Sequence, residues 1–159
     1  VSVLNGGMKK WKLEGRKVTN SKTKIIPSKY KAKENKNMVK IKSQIETNIN
    51  TKKFTILDAR SKNRFLGIDP EPRPGIKSGS IKGSKSWPLS ELINPEDNTF
   101  LDKKKLKYLF NLREINTNEV VMSCGSSVSA ASLALAYSLI NDDYTPKIYL
   151  GSWTEYGKN

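Results

Sequence analysis

The chain has 159 residues, a formal net charge of +14, a single cysteine and no histidine. That length suits one domain with a buried core, and one cysteine excludes an internal disulfide framework and fits a reducing, cytoplasmic compartment. Without histidine, Cys₂His₂ metal sites and Ser-His-Asp or Cys-His catalysis drawn from this chain alone are excluded, so no metal or cofactor is expected.

In chain order, residues 1–4 (Val-Ser-Val-Leu) read as a short strand and Asn5-Gly6-Gly7 as a turn. Residues 8–13 read as a short helical turn carrying Trp11, ended by Gly15. Residues 19–37 are polar and lysine-rich with Pro27, the pattern of an extended linker over a surface. The charge concentrates in this first third: residues 1–53 hold 15 basic and 3 acidic side chains, residues 54–159 hold 14 and 12. The bases are scattered lysines without arginine forks or interleaved aromatics, so a solvated face is expected rather than a nucleic-acid partner.

Ile41, Ile45 and Ile49 fall at i, i+4 and i+8, one apolar stripe of a helix of two to three turns. Residues 54–57 (Phe-Thr-Ile-Leu) read as a short buried parallel strand. Residues 59–88 hold three prolines and four glycines before Trp87-Pro88, so no long element is expected there. Residues 101–110 have helical spacing with Asp102 in the first turn. Residues 120–123 read as a second buried strand, residues 130–140 as a helix apolar nearly all round, and residues 147–150 as a third strand. This alternation predicts an α/β fold with a parallel sheet. No apolar run approaches ~18 residues and no secretory leader is visible, so no membrane association is expected.

Cys124 lies between the second strand and the long apolar helix, in Ser123-Cys124-Gly125-Ser126-Ser127-Val128-Ser129. A cysteine alone is more often a small buried hydrophobe. At a strand–loop–helix junction, however, unpaired N–H groups and the positive end of the helix dipole favour the thiolate, which is the nucleophilic form. The loop can form an anion nest, and a sulfur held there can carry a transferred sulfur atom as a persulfide. Ser126 and Ser129 add hydroxyl donors. A cysteine phosphatase would need arginine at the sixth residue after its nucleophile, where this chain has Ala130.

Three of only five arginines, Arg60, Arg64 and Arg73, flank one irregular loop in a chain that otherwise uses lysine. Their planar forks suit a carboxylate. Two readings stand side by side: Arg64 and Arg73 contact an anionic ligand, or Arg60 and Arg64 pair with Asp58 or Glu71 and pin the loop.

Asp58-Ala-Arg60, Arg64-Phe-x-Gly67, Pro70-Glu-Pro-Arg73, Cys124-Gly-Ser126-x-Val128 and Gly151-Ser-Trp153, in this order, resemble the second domain of tandem rhodanese-type sulfurtransferases. The Cys-Gly-Ser loop is more similar to the 3-mercaptopyruvate sulfurtransferases than to thiosulfate sulfurtransferases, whose loop carries basic residues after the cysteine. The resemblance covers about residues 39–157 and implies a three-layer domain with a central parallel sheet flanked by helices. It also implies that residues 1–18 are the tail of a preceding domain, residues 19–37 an interdomain linker and residues 38–159 the catalytic domain. The echo of Val3-Leu4-Asn5-Gly6-Gly7 and Trp11 in residues 149–153 agrees with such a repeat.

Carried over by position, Cys124 is expected to be the persulfide-forming nucleophile and Ser126 the hydroxyl that moves protons around the sulfur. Gly125, Ser126, Ser127, Val128 and Ser129 would form the cradle, and Arg64 and Arg73 would hold the donor's carboxylate. The implied partners are a small sulfur donor, a thiol acceptor such as thioredoxin, and the preceding domain. A persulfide-carrying or binding module without turnover is the alternative. The family loop has glycine where this chain has Ser127 and threonine where it has Ser129. If that glycine needs a positive φ, Ser127 carries about 1 kcal/mol of strain. The family's Gly-His-Ile appears as Gly79-Ser80-Ile81, and its aspartate before Gly-Ser-Trp is Leu150.

Overall fold

Two four-residue strands, β2 (Thr55–Asp58) and β4 (Val120–Ser123), lie side by side at the centre of the computed structural model, which describes residues 2–113, 115 and 119–158. They pair in parallel, with Thr55 opposite Val120 and Asp58 opposite Ser123. Three two-residue strands complete the sheet: β1 (Val39–Lys40), β3 (Lys85–Ser86) and β5 (Ile148–Tyr149). Every pairing is parallel and the order is β1-β5-β4-β2-β3, so the parallel α/β expectation holds.

Alternation along the central strands divides the core into two faces. Leu57, Val120, Met122 and Cys124 pack with α4 (Lys103–Leu112) and α5 (Val128–Ser138). Ile56 and Val121 pack on the other side with Ile45 of α2 (Lys42–Thr51) and Trp153 of α6 (Ser152–Tyr156). Burial on both faces is why the central strands read as continuous apolar runs. On the first face Trp87 stacks on Phe110 with ring centres 4.1 Å apart, and Phe110 meets Tyr137 at 4.9 Å. The small buried residues Ala130, Ala134 and Ala136 let α5 sit close to the sheet.

Several expectations shift. The sheet includes β1 and β3, which have no counterpart among the expected strands, because two isolated residues carry no periodicity to read. Residues 2–4 form no strand, and Val1 lies outside the described residues. The segment instead leads into α1 (Gly7–Leu13), tied down by the Lys10–Asp97 ion pair at 2.8 Å and by Asn5 Oδ1, which accepts the Phe100 N–H. Ile41 is the N-cap of α2 and exposed, not part of its buried stripe. Asn48 takes a buried place on that helix, its side-chain amide donating to the carbonyl of Phe54 at 2.8 Å and accepting that residue's N–H at 3.0 Å. Asp102 caps α4 from outside, accepting the Lys105 N–H at 2.9 Å, so that helix starts two residues later than expected. The loop-rich stretch holds the short helix α3 (Lys62–Leu66), and α6 follows β5 directly. Residues 19–35 are exposed and without regular structure. No helix among the described residues is long and apolar enough to cross a membrane.

Asn48 replaces the strand partners that the Phe54 backbone lacks. Asn48→Ala leaves that buried N–H and carbonyl unpaired and should cost about 2 kcal/mol of stability, read as a lower midpoint in urea denaturation.

Candidate active site

Cys124 follows β4 directly, at the carboxyl end of the central strand, and is 3% exposed. Loops after the strands converge at this edge of an open α/β sheet, which is where such folds place ligands. The Cys124 and Ser127 N–H groups both donate to Ser152 Oγ at 3.2 Å, and that hydroxyl donates in turn to the Tyr149 carbonyl at 2.9 Å. Ser152 is fully buried with φ 48°, so one side chain clamps both ends of the loop to the end of β5. The neighbouring turn of α6 adds backbone ties: Trp153 N–H to the Cys124 carbonyl and Thr154 N–H to the Gly125 carbonyl, each at 2.9 Å.

Ser127 has φ 62° and ends the loop in the left-handed region, after which α5 begins. The strain expected if this position required a positive φ therefore applies. Its N–H is held by Ser152 and its hydroxyl donates to the Ser126 carbonyl at 2.7 Å, so Ser127 shapes the turn with both donors already used. Among the described residues no acceptor takes the N–H of Gly125, Ser126, Val128 or Ser129. These groups and the amino end of the 11-residue α5 are what the loop offers an anion. The Val128 side chain, 74% exposed, turns away to solvent.

The three arginines occupy different situations. Arg60 is 3% exposed and gives its fork to Asp58 (Nη2–Oδ2 2.7 Å), its Nη1 to Glu71 (2.7 Å) and a further bond to the Gly79 carbonyl (2.8 Å). Its guanidinium also lies 4.8 Å from the centre of the Trp153 ring. Arg64 pairs with both oxygens of Glu71, at 3.2 and 2.6 Å. Arg73 has no carboxylate partner among the described residues; its Nη1 and Nη2 donate to Thr154 Oγ1 and Ser126 Oγ, each at 3.3 Å. A methyl group on Gly125 would stand 3.2 Å from Arg64 Nη2 and 3.7 Å from Arg73 Nη1, so a residue without a side chain lets both guanidiniums close over the loop.

Thus Arg64 and Arg73 come together over Gly125 and Ser126, the two residues after Cys124, while Arg60 and Arg64 also make the loop-pinning pairs. Glu71 is the loop-pinning partner that the second reading of the arginines named, and two further residues belong to the arrangement: Ser152 and Thr154. The Gly151-Ser152-Trp153 pattern marks the first in sequence, but its contact with a loop 28 residues earlier needs the fold. Nothing in the sequence distinguishes Thr154.

Residues 42–159 match the rhodanese-like domain family, and the chain belongs to that family. Over 158 residues it is 34% identical to the thiosulfate sulfurtransferase of Bos taurus, covering 98% of this chain and 52% of that protein. Over 159 residues it is 31% identical to the human 3-mercaptopyruvate sulfurtransferase, with the same two coverages. The solved structure of the Escherichia coli 3-mercaptopyruvate sulfotransferase SseA superposes with a TM-score of 0.78 at 25% identity, over 96% of this chain and 56% of that one. The chain spans about half the length of the curated relatives it matches.

Two outcomes follow from this geometry. Burial pushes the Glu71 carboxyl up, but hydrogen bonds and charge from Arg64 and Arg60 outweigh it and hold it below 4.5. A carboxyl lowered on folding adds stability above its unfolded value and loses it as pH falls through the folded one. Glu71→Gln should therefore lower stability at pH 7 by about 2–3 kcal/mol, and the gap to the parent should close as pH drops beneath 4.5, as urea midpoints at several pH values would show. Ser127→Gly, which fits the left-handed turn, should be no less stable than the parent, whereas the β-branched Ser127→Val should lose at least about 1 kcal/mol; thermal melts of the two decide it.

Proposed function

We propose that this domain is the catalytic half of a sulfurtransferase. It would pass a sulfane sulfur from 3-mercaptopyruvate, or from thiosulfate, through a persulfide on Cys124 to a thiol such as thioredoxin or to cyanide. The observation that carries the reading is that Cys124 opens a loop in which four N–H groups have no acceptor among the described residues, and that Arg73, without an acid partner among those residues, bonds to Ser126 of the same loop. Relatives named for both donors support the reaction class.

In the proposed reaction Arg73, with Arg64 beside it, holds the donor carboxylate and presents the donor sulfur to Cys124. The Cys124 thiolate attacks that sulfur, an S–S bond forms and the C–S bond breaks. The electron pair leaves on the enolate of pyruvate, which takes the proton the donor thiol carried; Ser126, which accepts a hydrogen bond from Arg73, would relay it. The terminal sulfur then bears the negative charge, which the free N–H groups of Gly125, Ser126, Val128 and Ser129 stabilise. An acceptor thiolate attacks the outer sulfur, a new S–S bond forms, and the Cys124 thiolate departs.

We also propose that residues 1–18 close a preceding rhodanese-like domain and that residues 19–37 link it to residues 38–159. The half-length match to relatives supports this, and the exposed Val3, Leu4, Met8 and Leu13 offer that domain an apolar side.

In the full-length protein, 3-mercaptopyruvate should add the mass of one sulfur atom to Cys124 and release pyruvate, and Cys124→Ser should abolish both. Retained pyruvate release in the serine variant would defeat the reading; a persulfide without turnover would favour a carrier module.

A further inference from the structure

We infer that Thr154 is a positioning residue that sets the orientation of Arg73 and thereby the affinity for the anionic donor; this rests on the sulfurtransferase reading above. Thr154 is the third residue of α6, half-buried against the loop after Cys124. Its hydroxyl has one proton, and that proton goes to the Gly125 carbonyl at 2.6 Å. The bond turns the oxygen's lone pairs outward, where one accepts Nη1 of Arg73 at 3.3 Å. The residue's own N–H holds the same carbonyl at 2.9 Å, and its β-branch leaves χ1 little freedom, so the oxygen is held from two directions.

Arg73 would otherwise be a long, solvent-exposed side chain with no acid to hold it among the described residues. Thr154 and Ser126 grip one N–H on each terminal nitrogen, which leaves a second N–H on each and the Nε–H for a ligand. Arg64 does not need this device, because Glu71 holds it. The site thus fixes its two guanidiniums differently: one by a carboxylate that takes up its charge, the other by hydroxyls that leave its charge available. Fixing a cation before the ligand arrives removes an ordering cost from binding.

The test is steady-state kinetics of the full-length protein with 3-mercaptopyruvate as donor. Thr154→Val keeps the shape and removes the hydroxyl, and should raise KM about fivefold to tenfold with kcat within about twofold and the melting temperature little changed. Thr154→Ser should restore KM to within about twofold of the parent. In an Arg73→Ala background, Thr154→Val should have no further effect on KM, because its action passes through that guanidinium. An unmoved KM in Thr154→Val, a loss confined to kcat, or an effect that persists without Arg73 would overturn the inference while leaving the sulfurtransferase reading intact. A parent protein that forms no persulfide and releases no pyruvate would remove that reading and this one together.

Discussion

Arg60 carries a full charge into the core, where an unpaired ion would cost several kcal/mol, and the site is built from the groups that offset that cost. Asp58, at the end of β2, takes the fork; Glu71, from the irregular loop, takes another nitrogen; Trp153 lies across the guanidinium face. Each partner then acts on the cysteine loop. Asp58 stands in register with Ser123, one residue before Cys124. Glu71 turns its remaining bonding capacity to Arg64 and brings it over Gly125. Trp153 ties its backbone to the Cys124 carbonyl and its indole N–H to Lys77 on the far side of the loop. One buried cation therefore couples three segments distant in sequence into a single rigid surround for the thiol.

Asp58 and Glu71 pair with Arg60 and Arg64, whereas Arg73 has no acid partner among the described residues. In the proposed reaction a small anion would meet the Arg73 charge, the free N–H groups of the loop and the amino end of α5 at once. The lysine excess lies mainly in the first third of the chain, on exposed residues.

Legibility in the sequence followed the length of each pattern. The central strands and α5 stand out because burial on both faces demands continuous apolar runs. The two-residue strands β1 and β3 do not, since two residues define no period, and their pairing comes from neighbours already in place. Ile41 matched a helical stripe by spacing but stands outside the helix, whereas Asn48, polar by type, is buried because the Phe54 backbone supplies both of its hydrogen bonds. The choice between arginines as ligand contacts and as loop pins had no answer in spacing. In the fold Glu71 divides them, taking Arg60 and Arg64 and leaving Arg73.

By itself the sequence determined the thiol, its strand–loop–helix setting and the family, because apolar runs, a unique cysteine and ordered motifs are local properties of the chain. Only the tertiary structure decided what surrounds that thiol. Ser152 and Thr154 reach the loop from 28 and 29 residues away, and Arg73 reaches it from 53. Contacts over such separations depend on how β4, β5 and the loop after β2 come together at one edge of the sheet, and no local pattern encodes that meeting.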